Sequence, residues 1–436
     1  MSLLDFVSPD ALQRSISLSE EDARTITGEV IARINGEFQE AALRSPTDAD
    51  RQAVRARIGA LVAAGVRRAG LNALSTVDEA RLADEIARKV LGLGFLDLLL
   101  PPARTDLTEI AITPAGKLFA KIKGRSRFEE LTDLHPDPNE VERVIAAVIG
   151  PQGRSLNEST PSVDAKLPRT RHNPGGGRIK VIHACVAPGA GFPSLNIRLF
   201  EQRPVRPEQL VAWGSMDEQM MSLLESAIRQ YLRIFIIGGT GTGKTTILSA
   251  LTGFIAQDDR IVKIEDPEEI FIDHPHVVAL EARPAPPGSE VPPYTITDGV
   301  NDAMRMTPDW LVVGEVRTGD AAMSLFRAQM SDHPGLSTFH SESPEAAVHR
   351  LSVIMFSDVG VRMEASKSLF TQSVDLVLQL GYDCFGRRRT TEIAQVEREM
   401  KGGNAQFTPL FRLDEDRSTE ARPVWEKLGE LTRKRR

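Results

Sequence analysis

Apolar positions in the first hundred residues recur at helical spacing. Ile26, Val30, Ile34 and Phe38 fall every four residues, on one face of a helix. Ser19, three residues ahead of Asp22, resembles a capping box at its start. Val54, Ile58, Leu61 and Val62 repeat the stripe after Ser45, Pro46 and Thr47. A third helix starts near Ser75, carries Leu82, Ile86 and Val90, and stops at Gly92 and Gly94. These stripes predict a small helical bundle over residues 1–98.

Past Pro101 the period falls to two. Residues 109–113 and 117–122 alternate like hairpin strands around Pro114 and Gly116. Residues 141–149 read as a helix, then 162–167, 178–182 and 194–200 as strands, with a turn at 174–177. The expectation is a small α/β domain over 99–205. Pro204 and Pro207 oppose both helix and central strand, so they mark a linker. Beyond it, short apolar strands at 234–237, 261–264, 277–280, 311–313, 336–339 and 374–380 alternate with helices. That rhythm predicts a doubly wound domain over 206–436. Residues 284–293 interrupt it as a proline-rich loop, and the tail from Lys401 reads as polar and irregular.

Composition narrows the function classes. The 436 residues are 41% apolar and 26% charged, ordinary for a globular protein, with a formal net charge of −7 that argues against a coat for nucleic acid. Two cysteines, Cys185 and Cys384, argue against a zinc ribbon or a disulfide scaffold, and the expected setting is a reducing cytoplasm. No apolar run approaches a membrane span, and the first residues lack the pattern of a signal peptide. A membrane role is therefore expected to run through a partner.

The chemistry centres on Gly238, Gly239, Thr240, Gly241, Thr242, Gly243, Lys244 and Thr245, the form G-x-x-x-x-G-K-[ST]. An apolar strand precedes it and a helix, opening with Thr246, follows. Glycines let backbone N–H groups close around phosphates, and a helix N-terminus favours the anion. Lys244 is expected on the β- and γ-phosphates and the Thr245 hydroxyl on Mg²⁺. A second apolar strand ends in Gly314 and Glu315, a carboxylate delivered at a strand tip that can orient or deprotonate an attacking water and approach Mg²⁺ through water. A third strand runs into Glu265, Asp266, Glu268 and Glu269. Charge runs usually mark a solvated turn, and Pro267 suits one. Yet Glu265 and Asp266 lie at the strand end where open α/β sheets bind ligands. Finally, His333 and His340 bracket a fourth strand. No further His or Cys completes a zinc site with them, and an imidazole beside a triphosphate can sense its terminal phosphate.

In this order the motifs resemble those of the hexameric motor ATPases of type II and type IV secretion and type IV pilus assembly. Walker A falls at 238–245, an acidic box at 264–269, Walker B at 311–315 and a histidine box at 333–340. The stretches 305–309 and 315–317 also fit. Within that family the chain is most similar to the CpaF-like ATPases of tight-adherence (Flp) pili, on residues 153–158, 161–168, 193–198 and 210–215. The resemblance implies a RecA-like P-loop ATPase domain, preceded by a small α/β, PAS-like domain and a helical bundle. It implies Mg²⁺-dependent ATP hydrolysis in a homo-hexamer, cytoplasmic and peripheral at the inner membrane. The ring would act on a membrane platform protein that adds or extracts pilin subunits, with no direct nucleic-acid contact. It implies Glu315 as the catalytic residue, helped by Glu265, Asp266, His340 and His333. It further implies arginines from the preceding domain closing on the triphosphate: Arg198 first, then Arg178, with Arg154 weaker. The alternative is a secretion or conjugation ATPase of the same superfamily, and after it a nucleic-acid motor. The chain departs from the family at Asp332, where glycine is usual, at Thr318, and in a histidine box one residue shorter than in the CpaF branch.

Overall fold

A computed structural model describes residues 19–39, 43, 48–69, 76–123, 125, 127–169, 173, 175–200, 203–285 and 290–432. The chain divides into two units, Met1–Gln202 and Arg203–Arg436.

In the first unit, helices α1 (Glu20–Glu37), α2 (Asp48–Arg68) and α3 (Thr76–Leu91) bury the three stripes against one another. Ile34, Ile58 and Ile86 are fully enclosed, while Phe38 and Val90 sit at the margin. The Ser19 hydroxyl accepts the Asp22 N–H at 3.1 Å, satisfying an amide that the first turn leaves open. Ser45, Pro46 and Thr47 lie outside the described residues. The chain then forms β1 (Leu107–Ile112), β2 (Leu118–Ile122), β3 (Phe128–Glu130), α4 (Pro138–Ile149), β4 (Ser162–Leu167), β5 (Gly177–Ile182) and β6 (Ser194–Leu199). The six strands make an antiparallel sheet in the order β3-β2-β1-β6-β5-β4. Alternation sends Ile110, Ile179, Val181, Leu195 and Ile197 to one face, where α4 and the turn Gly94–Leu98 cover them. The other face is polar, and there Arg178 and Arg198 stand directly opposite each other, both exposed. Of the turn expected at 174–177, Pro174 lies outside the described residues, and Gly176 takes φ +68°.

The second unit opens with α5 (Pro207–Ala212) and α6 (Glu218–Arg229). It continues through β7 (Ile234–Gly238), α7 (Lys244–Leu251), β8 (Ile261–Glu265), β9 (Val277–Glu281), α8 (Ile296–Ala303), β10 (Trp310–Val313), α9 (Gly319–Met330) and β11 (Gly335–His340). Helices α10 (Pro344–Val359) and α11 (Met363–Ser373) precede β12 (Leu376–Tyr382), β13 (Arg388–Val396), β14 (Phe407–Leu413) and β15 (Trp425–Lys427). The sheet order is β15-β14-β13-β12-β7-β11-β10-β8-β9, parallel from β12 to β9 and antiparallel from β12 to β15. Strand β7 shows why its residues are all apolar. Ile234 and Ile236 join the core under α6 and α7, whereas Phe235 and Ile237 join the core under α9, α10 and α11. A parallel strand buried on both faces has no polar side.

Two expectations need correction. The region from Lys401 is not irregular: it supplies β14 and β15, and β13 precedes them. Pro409, which lacks an amide to donate, sits in β14 beside a register shift between Ile393 and Ala394, so the strand accommodates it. The linker is also shorter than expected, because Pro207 already opens α5. Of the loop expected at 284–293, residues 286–289 lie outside the described residues, and an Arg283–Tyr294 bridge closes the part that flanks it.

Candidate functional site

The parallel register brings the C-terminal ends of five strands to one edge of the sheet. His340 of β11 and Leu380 of β12 both pair with Gly238 of β7, and Val313 of β10 pairs with Ile264 of β8. Gly314 has little room there: a Cβ would lie 3.0 Å from Glu265 Cγ and 3.4 Å from its Oε1.

The loop after β7 turns on glycine. Gly241 and Gly243 adopt φ +77° and +98°, open to glycine and disfavoured for other residues. The Thr242 hydroxyl donates to the Gly239 carbonyl at 2.9 Å, tying the loop across its base. Helix α7 starts at Lys244, so the first amides of its N-terminus face the loop without intrahelical acceptors. Lys244 Nζ turns back on the loop, donating to the Gly238 and Gly239 carbonyls at 3.1 and 2.9 Å. Thr245 and Thr246 follow on the first turn of α7, half-buried. Gly239, Thr240 and Gly241 are exposed.

A chain of polar contacts leaves Lys244. Its ammonium is 3.4 Å from His340 Nδ1, and His340 Nε2 is 2.7 Å from Glu315 Oε1. Burial, then the Lys244 charge, holds His340 below its ordinary value, so the ring is neutral at neutral pH. A neutral ring carrying its proton on Nε2 satisfies both neighbours, donating to Glu315 and accepting from Lys244. Burial also lowers Lys244, against the opposing pull of Glu315. The other carboxylate oxygen, Oε2, is gripped by Arg317 through Nε at 2.6 Å and Nη2 at 2.5 Å. Arg317 also reaches the Asp266 carbonyl at 3.4 Å. Beside Glu315 opens a cavity of about 300 Å³ lined by Arg317, Phe339, His340, Arg350 and Ile354. Arg350 donates to the His340 carbonyl at 2.9 Å and lies over the Phe339 ring.

The acidic box divides. Asp266 is exposed at the sheet edge. Glu265 is buried, with Oε1 accepting the Glu269 and Ile270 amides at 2.9 and 2.8 Å and Oε2 accepting Lys263 Nζ at 3.1 Å. Lys263 also holds Glu268 at 2.7 Å and the Ile270 carbonyl at 2.7 Å. The Glu265 carboxylate thus braces the turn after β8.

The structure brings together the loop, Lys244, His340, Glu315 and the end of β8. It does not bring His333. That residue precedes β11, at the opposite end of a strand that itself spans roughly 16 Å from Gly335 to His340. There its Nδ1 meets the Ala328 carbonyl at 3.1 Å. Arg178 and Arg198 belong to the first unit. Arg178 pairs with Asp164 at 3.2 Å, whereas Arg198 makes no ion pair among the described residues. Sequence reasoning missed Lys263, Arg350 and Tyr382. A lysine inside the otherwise apolar β8 was a signal for the first. The other two become visible only once α10 and β12 flank the loop.

For a divalent cation, one hydroxyl (Thr245) and one carboxylate (Glu315) are the sparse protein donors that Mg²⁺ takes alongside phosphate oxygens and water. That donor set fits the group.

A sequence profile of the family described as "Type II/IV secretion system protein" matches residues 140–405. A putative conjugal transfer protein of Mycobacterium tuberculosis is 30% identical over 334 residues, 76% of this chain and 92% of that protein. The probable conjugal transfer protein TrbB of Sinorhizobium fredii is 29% identical over 324 residues, 73% of this chain and 90% of that protein. Among solved structures, the Legionella pneumophila ATPase DotB matches with a TM-score of 0.50 at 19% identity, over 68% of this chain and 78% of that one, a likeness of fold.

Proposed function

Because this chain belongs to the type II/IV secretion system protein family, whose members are ATP-hydrolysing motors, we propose that it hydrolyses ATP at the 238–245 loop with Glu315 positioning the water. The observation that carries this is the contact chain from Lys244 through His340 to Glu315. Triphosphate oxygens replace the Gly238 and Gly239 carbonyls as partners of Lys244. His340 then stands between the terminal phosphate and Glu315. The Arg317 grip on Oε2 leaves Oε1, which now meets His340 Nε2, as the oxygen that would accept a proton of the attacking water. Bound Mg²⁺, held by Thr245 and through water by Glu315, would neutralise charge on the phosphate oxygens. Asp266 remains the acidic-box candidate for assistance, and Glu265 is assigned to bracing the turn.

Arg198 and Arg178 are proposed as a second grip on the triphosphate. Arg198 makes no ion pair among the described residues and stands directly opposite Arg178, so an incoming anion could be held by both, beside or in place of the Arg178–Asp164 pair. We further propose a homo-hexamer that works on a membrane-embedded machine. Among the described residues, no helix is long and apolar enough to cross a membrane, so attachment would run through that partner. The conjugal-transfer names of the relatives favour a secretion or conjugation motor. The stretches 153–158, 161–168 and 193–198 keep the tight-adherence pilus reading as the second.

Glu315→Gln tests the core of this. Hydrolysis should fall at least ~100-fold while ATP binding stays within a few-fold. Unchanged hydrolysis would sink the assignment. A strain carrying the same substitution, scored for surface pili and for plasmid transfer, separates the two motor readings.

A further inference from the structure

We propose that Tyr382 is the stacking platform for the nucleobase, a subsite on the β12 side of the phosphate loop. The inference rests on reading that loop as a triphosphate site. Sheet order sets the direction. His340 ends β11 and Glu315 follows β10, so the terminal-phosphate end of the site lies on that flank of β7. In such a loop the backbone amides cradle the α- and β-phosphates while the lysine reaches the β- and γ-phosphates. The phosphate chain therefore runs away from Glu315, and its nucleoside end emerges toward the other neighbour of β7, which is β12.

Tyr382 is the last residue of β12, two beyond the Leu380–Gly238 pair. Its hydroxyl donates to the Gly241 carbonyl at 3.0 Å, so the ring is pinned against the loop. It is nevertheless 50% exposed, leaving much of the ring without a protein neighbour. Its position is set in advance. The next residue, Asp383, is buried and accepts the Phe385 and Arg387 amides at 3.0 and 2.8 Å. Asp383 also pairs with Arg389 Nε at 2.9 Å, and Arg389 in turn grips the Trp213 and Gly214 carbonyls. A turn braced this firmly presents an aromatic face at little entropic cost to binding. Stacking tolerates every base because each has a π-face, and purines offer the larger area.

The test titrates full-length wild type, Tyr382→Phe and Tyr382→Ala with Mg²⁺-ATP and with Mg²⁺-tripolyphosphate by calorimetry, with ATP competition confirming a shared site. The Ala variant should lose about 5- to 100-fold in ATP affinity and hold tripolyphosphate within about twofold. The Phe variant should match wild type for both ligands. The preference for ATP over CTP should narrow in the Ala variant. If Ala weakens both ligands equally, or Phe weakens ATP as much as Ala does, the hydroxyl is merely holding the loop and the subsite is wrong. If wild-type protein binds neither ligand, the triphosphate reading falls and takes the subsite with it. Wild type binding both equally tightly overturns the subsite alone.

Discussion

Glu265→Gln tests whether the buried carboxylate braces the turn after β8 or takes part in hydrolysis. The amide oxygen of glutamine can still accept the Glu269 and Ile270 N–H groups, so those bonds survive. What is lost is the bond from Lys263 to Oε2, replaced by an NH₂ group that faces the ammonium donor to donor. Lys263 keeps Glu268 and the Ile270 carbonyl, so its charge is not stranded. One buried charge-assisted hydrogen bond sets the expected loss at about 1.5–3 kcal/mol. Urea unfolding of the full chain reads that loss, and steady-state hydrolysis well below the transition reads activity. A brace predicts the stability loss with kcat within about threefold of wild type. A catalytic base or water-positioning group predicts a fall of ~100-fold or more at unchanged stability, and that outcome would refute the bracing argument. Acid–base linkage gives a second readout. Burial holds Glu265 above its ordinary value of 4.5, with Lys263 opposing. The folded state then binds the proton more tightly, so the proton-linked contribution of Glu265, distinct from the Lys263 bond, is complete below about pH 4.5 and is lost as pH rises through the folded value. The Gln variant should lack that slope.

Asp375 is fully buried against Arg233, which donates from Nε and Nη2 at 2.8 and 2.9 Å, and the pair lies at the sheet edge opposite the loop. Asp375→Ala strands the guanidinium and should cost about 3–5 kcal/mol in urea unfolding; a loss under 1 kcal/mol would contradict the pairing. Although burial opposes it, Arg233 holds Asp375 below its ordinary value of 3.8, so its stability is present above that pH and lost as pH falls below it. Asp332 sits at φ +65°, where glycine is unstrained, so Asp332→Gly should raise stability by about 0.5–1 kcal/mol, and a lower Tm would count against the strain. Gly243→Ala has open space for its Cβ but a φ of +98°. Backbone strain of about 1–2 kcal/mol should therefore weaken ATP binding ~5- to 30-fold, and an unchanged Kd would show the loop tolerates it.

The stripes of Ile26, Ile58 and Ile86, the alternation of β4 to β6 and the apolar runs of β7, β8 and β10 were legible because burial on one or both faces dictates their period. Strands β13 to β15 were not. In β13, Arg388, Arg389, Thr390 and Thr391 read as surface, yet Arg389 is buried because Asp383 and main-chain carbonyls satisfy it, and Thr390 is buried with its own carbonyl taken by Trp425. A run of residues does not reveal partners contributed by distant strands.

The chain by itself determined the glycine-rich loop at 238–245, the strand that ends ahead of Glu315, and their order, because glycine geometry and apolar period are local properties. Which carboxylates face solvent and which are consumed as braces was decided only by tertiary structure. So were the separation of His333 from His340, the Arg317 grip on Glu315 and the placing of Tyr382 beside Gly241. The physical reason is that these depend on sheet order: residues as far apart as Gly241 and Tyr382 become neighbours only when β12 docks against β7.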